Sequence, residues 1–345
     1  MIIILAEDIS EPVDEGIKKY SFSLAKKFID QDKQNLVFSF FPNKELPHIE
    51  YLPRNKFFIS FSFFKRINSI KPKFLIYIPF SSTTLMSFIR MKVVSLWCGS
   101  AKTIIVSLQK RKHNYLSKLL IAFIKPYAII VLSRTEVGYY EKLGLKCILS
   151  PVGVDTNKFT NVNQNKKQEL RKKLNLPING RIVLHVGHIN KGRNIDSIRK
   201  LLSHGFKIVV IGSTRFESDN ELKIYLEKEG YIFITDYIEN IEEYYQASDI
   251  YIFPVQSSTS AMEFPLSVLE AMSCNLPILT TNFGGIETYF SETDWFKYYN
   301  DDTEMLTEAN LLLAAPECKN RDIILRSFSW DKVFDNYWAD KLNAL

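Results

Sequence analysis

The sequence contains few cysteines, and they lie far apart. Four occur in 345 residues, namely Cys98, Cys147, Cys274 and Cys318, and no two of them form a CxxC pair. This spacing fits neither a disulfide framework nor a zinc site. We therefore expect a protein of a reducing compartment, the cytoplasm.

Long hydrophobic runs are also missing. The N-terminal MIIILA is followed at once by Glu7 and Asp8, and no basic residue precedes it, unlike in a secretory signal. The longest uncharged run, residues 74–89, is interrupted by Pro79 and several hydroxyl residues. Because a membrane-spanning helix needs about 20 predominantly apolar residues, no segment is predicted to cross a bilayer.

Two common nucleotide-binding motifs are absent. No strand-like segment is followed by GxGxxG, which argues against a dinucleotide-dependent dehydrogenase. Gly187 and Gly192 have the spacing that opens a Walker loop, but Arg193-Asn194 stands where Lys followed by Ser or Thr is required. The sequence therefore predicts neither a dehydrogenase nor an ATPase.

Metal-ligand patterns are equally scarce. His185 and His188 have no third ligand near them in the sequence, and Asp301-Asp302 lies in a polar stretch typical of a solvated loop. We expect no metal and no organic cofactor.

Apolar runs rich in β-branched and aromatic residues alternate with amphipathic segments along the chain. A chain of 345 residues exceeds the usual size of a single core, so two domains are expected. The alternation predicts an α/β protein with two doubly wound, Rossmann-like domains. The predicted strands are 1–5, 35–41, 57–64, 74–80, 92–97 and 128–133, then 181–187, 206–212, 231–237, 249–255 and 276–282, with helices over 16–29 and 111–124.

Charge is divided unevenly between the two halves. Residues 1–155 hold 23 Lys and Arg against 12 Asp and Glu, a net +11, whereas residues 156–345 hold 21 against 26, a net −5. This is either ordinary surface variation or a sign that the first half faces an anionic surface or acceptor. Nucleic acid is not expected, because the basic residues form no dense patch with interleaved aromatics.

Residues 109–127, QKRKHNYLSKLLIAFIKPY, join a basic cluster to an apolar helical stretch. Two interpretations stay open: a domain helix with its basic end in solvent, or a helix that lies on a membrane surface. The second would place the protein at the inner face of an anionic membrane.

The segment from Glu263 to Gly285, EFPLSVLEAMSCNLPILTTNFGG, is the most informative part of the chain. A loop with a carboxylate passes into a helix, and Glu270 lies within its next turn. The unpaired N–H groups at such a helix start suit a diphosphate. Two interpretations stay open at this point: a diphosphate site at the helix start, or solvated glutamates that flank a core helix.

A second candidate site is HVGHINKGRNI, residues 185–195. Gly187 would let a phosphate approach the backbone closely. Lys191 and Arg193 follow it and would offset negative charge on a diphosphate.

These two segments, with SPVGVDTNKF (150–159) and ITDYIENIEEYYQASDIYIFPV (234–255), resemble the donor-binding signature of retaining nucleotide-sugar glycosyltransferases of the GT-B fold, glycosyltransferase family 4 (group 1). The resemblance covers nearly the whole second half, and FSWDKVFDNYW (328–338) is similar to the family's crossing helix. It implies that Glu270 hydrogen-bonds the donor ribose and that Glu263, Lys191 and Arg193 are catalytic. The other donor-binding residues that it implies are Gly16, Gly187, His188, Phe264, Pro265, Leu266 and Ser267.

Three positions depart from the family's commonest pattern. Its usual spacing places the first glutamate at position 262, which is Met262 here, and His188 stands where members often carry arginine. Many members have a histidine after a middle strand of the first domain, at a point where we place Trp97-Cys98-Gly99.

The resemblance implies a GT-B arrangement of two domains facing across a cleft. Residues 1–155 would form the acceptor-side domain and 156–327 the donor-binding domain, with a C-terminal helix of about 328–345 packing back on the first. The implied activity is retaining, metal-independent sugar transfer from an NDP-sugar to a sugar or lipid-linked acceptor. Two alternatives stay open: a catalytically silent nucleotide-sugar or glycan-binding protein of the same fold, and an NDP-sugar epimerase or hydrolase.

Overall fold

The computed structural model describes residues 1–46, 49–212, 219–257, 259–315, 317–339 and 342. The chain divides into two compact units. The first unit contains residues 1–151, 262–264 and 334–345, and the second contains 152–261 and 265–333.

The first unit is built on a seven-stranded parallel sheet in the order β3-β2-β1-β4-β5-β6-β7. Its strands are β1 (Ile2–Ala6), β2 (Leu36–Ser39), β3 (Ile49–Tyr51), β4 (Phe74–Ile78), β5 (Lys102–Val106), β6 (Ala128–Val131) and β7 (Cys147–Leu149). Its helices are α1 (Gly16–Gln31), α2 (Phe61–Ile70), α3 (Leu85–Ser95), α4 (Tyr115–Phe123) and α5 (Arg134–Glu141).

The second unit repeats the plan with six parallel strands in the order β10-β9-β8-β11-β12-β13. Its strands are β8 (Arg181–Val186), β9 (Phe206–Ile211), β10 (Ile232–Ile234), β11 (Ile250–Phe253), β12 (Ile278–Thr280) and β13 (Phe296–Tyr298). Its α-helices are α6 (Gln164–Lys173), α7 (Asn220–Glu229), α8 (Glu242–Ala247), α9 (Leu266–Ser273), α10 (Ile286–Tyr289), α11 (Asp302–Ala314), α12 (Asn320–Ser327) and α13 (Trp330–Val333), with 3₁₀ turns over Lys191–Arg193 and Ser197–His204.

Central strands of both sheets are buried along their length, as expected for parallel sheets covered on both faces. All five residues of β4 and all four of β11 are buried. Because every ladder is parallel, the loops that follow the strands collect at one edge of each sheet, here called its carboxyl edge. The predicted fold class, α/β with two Rossmann-like sheets, is confirmed.

Two predicted strands are wrong. Residues 61–64 of the first segment, 57–64, belong to α2, and residues 92–95 of the second, 92–97, belong to α3. Neither segment forms a strand. In α2 the buried side chains are Phe63, Phe64 and Ile67, which is helical spacing, and the Ser60 hydroxyl accepts a hydrogen bond from the N–H of Phe63. Aromatic composition favoured a strand, but capping and burial on one face decide for a helix.

The C-terminal part of the chain passes from the second unit to the first. After α13, a π-helical turn spans Phe334–Ala339. The rings of Phe334 and Trp338 pack edge-on against Phe28 of α1, at centroid distances of 4.9 and 5.6 Å. No helix among the described residues is long and apolar enough to cross a membrane.

Candidate functional site

In the second unit, the chain turns sharply at the end of β8. The N–H of Gly187 donates to the carbonyl of Ile211 at 3.0 Å and extends the ladder by one residue. Asn190 then caps the 3₁₀ turn, because its side-chain oxygen accepts from the N–H of Arg193 at 3.1 Å. Asn194 ends the turn in the left-handed region, with φ 54°. The turn thereby reverses the chain and directs Arg193 back toward the strand end.

Arg193 is buried at this turn, with 8% of its surface exposed. A carbon added at Gly187 would lie 2.9 Å from Arg193 Nη1, so the glycine is what lets the guanidinium reach the backbone. No ion pair joins Arg193 to any residue in the described part of the chain, and its Nε has no hydrogen-bond partner there. Burial lowers its pKa to about 10, so it remains charged at neutral pH. A buried, unpaired cation of this kind is a site for an anion.

His185 lies beside Arg193 and is fully buried. Its Nδ1 is 3.0 Å from the carbonyl of Ile252, which assigns the proton to Nδ1 and leaves Nε2 an acceptor. Burial, with the charge of Arg193, lowers the pKa of His185 to about 3. The imidazole is therefore neutral, and Arg193 is the cation of this pair. Lys191, by contrast, is exposed, and His188 is half-buried.

Helix α9 follows β11 and begins at Leu266, with Pro265 preceding its first turn. The first N–H groups of an α-helix have no partner inside the helix and carry its positive dipole end. Ser267 is the half-buried residue of an otherwise buried α9. The helix start therefore offers backbone donors at the carboxyl edge, where the resemblance predicts donor-binding residues.

Glu270 is held in a fixed orientation within α9. It is 3% exposed, and its Oε2 accepts a hydrogen bond of 2.8 Å from the hydroxyl of Tyr245 in α8. Burial, with the charge of Glu270, raises the pKa of Tyr245, so the phenol stays protonated and donates. Tyr245 in turn packs edge-on against Phe159 at 5.7 Å. This positioning role of Tyr245 was not predicted from the sequence.

Glu263 belongs to the first unit and is 1% exposed. Its N–H donates to the carbonyl of Leu108 at 2.9 Å, and its Oε1 accepts from Ser133 Oγ at 2.9 Å and Thr135 Oγ1 at 3.4 Å. Its Oε2 is buried without a partner among the described residues. Burial raises the pKa of this carboxyl, and the Ser133 hydrogen bond opposes the rise.

A second buried carboxylate, Glu136, lies in the same environment. Burial raises its pKa to about 8, the charge of Glu263 adds to the rise, and hydrogen bonds from Ser107 and the N–H of Leu132 oppose it. The Ser107 hydroxyl is 2.7 Å from Glu136 Oε1. Ser133, which bonds Glu263, also caps α5 by accepting from the N–H of Glu136. The two carboxylates thus form one coupled site that sequence reasoning did not reveal.

Gly16 and the 262–264 segment meet in the first unit. A carbon added at Gly16 would lie 2.6 Å from the sulfur of Met262, and Phe264 is fully buried. The methionine that replaces the family's usual glutamate therefore packs on the glycine that opens α1.

The placing of Trp97-Cys98-Gly99 after a middle strand is wrong. These residues follow helix α3 and precede β5, which the sequence analysis did not predict. The histidine beyond β5 is His113, whose Nε2 is 2.8 Å from the carbonyl of Thr83 and whose Nδ1 is 2.8 Å from the hydroxyl of Tyr139.

No group of three or more His, Cys, Asp or Glu that could hold a metal ion occurs within the described ranges. The positive groups available to an anion in the second unit are instead Arg193, Lys191 and the start of α9.

Comparison with known proteins is consistent with this geometry. Residues 166–324 match the family described as glycosyl transferases group 1. The chain is 26% identical over 171 residues to TuaC of Bacillus subtilis (strain 168), provisionally assigned as a teichuronic acid biosynthesis glycosyltransferase, covering 48% of this chain and 41% of TuaC. It is 25% identical over 158 residues to the O-antigen biosynthesis glycosyltransferase WclY of Escherichia coli, covering 45% of this chain and 43% of WclY.

The chain thus spans about two fifths of the length of these curated relatives. Among solved structures, Anabaena Alr3699/HepE in complex with UDP-glucose superposes with a TM-score of 0.76 at 13% identity, over 100% of this chain and 99% of that one. The protein therefore has the GT-B fold of glycosyltransferases, and its residues 166–324 match the group 1 family.

Proposed function

We propose that the protein is a glycosyltransferase that takes its sugar from an NDP-sugar donor bound by the second unit. The observation that carries the proposal is Arg193, a buried guanidinium with no ion pair within the described residues, held against Gly187 at the carboxyl edge of the sheet. The match of residues 166–324 to group 1 glycosyl transferases supports the same conclusion.

The donor diphosphate would lie between the Gly187 turn and the start of α9. Arg193 and Lys191 supply positive charge, and the N–H groups of Leu266 and Ser267 supply the helix-start donors, since Pro265 before them has no N–H. This positive charge stabilises the leaving diphosphate as the sugar departs. Since side chains and the helix dipole provide it, the proposed mechanism has no metal step.

The donor ribose would be bound by Glu270, whose carboxylate is already oriented by Tyr245. We propose retention of anomeric configuration, with the leaving phosphate accepting the proton of the acceptor hydroxyl. We also propose Glu263, whose Oε2 has no partner among the described residues, as a catalytic residue.

The relatives suggest which substrates to test first. HepE was solved with UDP-glucose, which makes UDP-sugars the first donors. TuaC and WclY are named for teichuronic acid and O-antigen biosynthesis, which supports a glycan acceptor carried on a lipid at the inner membrane surface.

The test is nucleotide release from UDP-, GDP- and ADP-sugars with and without membrane lipid extract. We expect release that depends on acceptor. Release without acceptor would favour a hydrolase or epimerase, and tight donor binding without turnover would favour a silent binding protein. In a separate binding titration with the free nucleotides UDP, GDP and ADP, Glu270→Gln is expected to weaken nucleotide binding about tenfold, because a charge-assisted bond to the ribose is lost while the side-chain shape is kept.

The matched control for that variant is Glu221→Gln, which removes the same charge from an exposed position in α7. Its nucleotide affinity should equal that of the wild type. Unchanged affinity of Glu270→Gln for all three nucleotides would refute the ribose assignment, whatever the transfer assay gives.

We further propose that α4 lies on an anionic membrane. Ile121 is its one buried residue, and most of its other apolar side chains face solvent, here called the α4 surface: Tyr115, Leu116, Leu119, Leu120 and Phe123. Phe123 is 83% exposed. Basic residues flank the surface, namely Lys110, Arg111, Lys112, Lys118 and Lys125. Apolar residues bordered by lysine and arginine are typical of interfacial helices on anionic lipid.

Vesicle flotation tests this surface. The wild type should float with vesicles of phosphatidylcholine and phosphatidylglycerol, and less with phosphatidylcholine alone or at high salt. Leu119→Gln/Phe123→Gln should reduce partitioning about tenfold or more, since each buried apolar side chain contributes about 1.5–3 kcal/mol. The control is Ile224→Gln/Leu311→Gln, at exposed apolar positions of the second unit. Equal losses in both double variants would show that α4 is not the binding surface.

A further inference from the structure

An open basic cavity lies in the first unit, at the carboxyl edge of its sheet. Its volume is about 370 Å³, and it is lined by Phe40, Phe41, Arg54, Asn55, Lys56 and Arg90. Phe40 and Phe41 directly follow β2, and residues 54–56 follow β3. The cavity therefore occupies the edge at which parallel α/β sheets bind their ligands.

The three cations of this cavity differ in how they are paired. Arg90 is neutralised, because its Nη1 lies 2.8 Å from Glu7 Oε1 and its Nε donates to the carbonyl of Lys56 at 2.9 Å. Arg54 and Lys56 are both exposed and have no carboxylate partner within the described ranges. The cavity thus carries two solvent-facing positive charges that no carboxylate among the described residues neutralises.

Arg54 is nevertheless held in place. Its Nη2 donates to the carbonyl of Phe40 at 2.7 Å, and its guanidinium lies 4.3 Å from the centroid of the Phe41 ring. Both contacts orient the planar group without neutralising it, and its remaining N–H donors can form the paired bonds that phosphate and carboxylate accept. Phe40 and Phe41 are half-exposed beside it, and such rings can pack on the apolar face of a sugar.

We propose that this cavity binds an oxyanion borne by the acceptor, with Arg54 and Lys56 as its ligands. The identification of the ligand as the acceptor rests on the proposed transfer function, but the binding of the oxyanion does not depend on turnover. The oxyanion has two sources: a phosphate ester next to the acceptor sugar, or the carboxylate of an acidic sugar. In either case the cavity selects charged acceptors over neutral ones.

The experiment measures binding of inorganic phosphate, glucuronate and glucose to the whole protein by ligand-observed NMR. UDP is present so that the second unit does not contribute phosphate binding. We expect phosphate or glucuronate to bind and glucose to bind more weakly, and the stronger of the two anions identifies the source. Arg54→Gln/Lys56→Gln should weaken anion binding about tenfold or more, because two charge-assisted contacts are lost. Arg54→Lys should retain part of the affinity, since it keeps the charge.

The charge-matched control is Lys33→Gln/Lys71→Gln. These exposed lysines precede β2 and β4 and so lie at the opposite edge of the same sheet. The control should bind like the wild type. Equal anion affinity of the wild type and Arg54→Gln/Lys56→Gln, or no anion binding by the wild type, would overturn the inference.

UDP affinity, measured on the same samples, separates the two proposals. Lost anion binding with UDP binding intact supports the cavity as a site of its own. Failure of the wild type to bind any nucleotide would count against the donor proposal and leave the result for Arg54 and Lys56 standing, because that comparison is between variants.

Discussion

Replacing Arg193 with methionine is expected to lower sugar transfer about 100-fold while raising the free energy of unfolding by about 1–3 kcal/mol. On the proposed function, activity falls because Arg193 no longer supplies positive charge to the leaving diphosphate. Stability rises because the folded protein no longer holds a guanidinium that is 8% exposed and has no ion pair in the described residues. Opposite changes in stability and activity are the signature of a residue kept for function.

Urea unfolding and donor turnover measure the two effects, and Arg171→Met is the matched control. Arg171 is also buried, but its Nη2 bonds Asp249 at 2.6 Å and its Nε bonds the carbonyl of Ala247 at 2.8 Å. Its loss should destabilise the protein by about 3 kcal/mol, since the partners remain buried. If Arg193→Met is destabilised as much as Arg171→Met and still transfers sugar, Arg193 is structural.

The second large effect concerns Glu136 and pH. Its carboxyl pKa rises from 4.5 to about 8 on folding, chiefly through burial. Below pH 4.5 the folded and the unfolded protein both bind the proton, and Glu136 does not lower the free energy of unfolding. Between pH 4.5 and about pH 8 the unfolded protein releases the proton and the folded protein keeps it, so the free energy of unfolding falls as pH rises. Glu136→Gln removes this dependence and should gain about 3–4 kcal/mol over the wild type between pH 4.5 and pH 8.

Chemical denaturation at pH 5 and pH 8 measures this difference. Glu141→Gln, at an exposed position of the same helix α5, is the control and should show the same pH dependence as the wild type. A gap between Glu136→Gln and wild type that is the same at both pH values would mean that Glu136 is ionised in the folded protein.

Most of the strands that were predicted correctly are apolar runs buried on both faces of a parallel sheet, whereas the edge strand β10 is only half-buried. Residues 57–64 and 92–97 have the same composition, yet capping by Ser60 and one-sided burial make α2 and α3. Strand β5, Lys102–Val106, was not predicted, although four of its five residues are buried. Composition therefore identifies the layers of this fold better than it separates a strand from an adjacent helix.

The candidate site shows a different limit. Glycine followed by two basic residues indicated an anion site from sequence, but nothing local distinguishes the buried Arg193 from the exposed Lys191. The distinction arises from the close approach of the guanidinium to Gly187. Likewise, Glu263 takes its partners from Ser133 and Thr135, which are 130 and 128 positions away in the chain. Such pairings are fixed by topology, and a single sequence does not carry them.

The first unit is built from segments that lie far apart in the chain, and this affects how it folds during synthesis on the ribosome. Phe334 and Trp338 cover Phe28 of α1, although some three hundred residues separate them in the chain. Domains generally fold in the order in which they are translated, yet here the apolar face of α1 stays uncovered until residues 334–339 emerge. The second unit, whose strands all lie between residues 181 and 298, is able to complete its sheet earlier. Part of the first unit is therefore completed only after all strands of the second unit have been made, and a nascent chain exposes Phe28 throughout their synthesis.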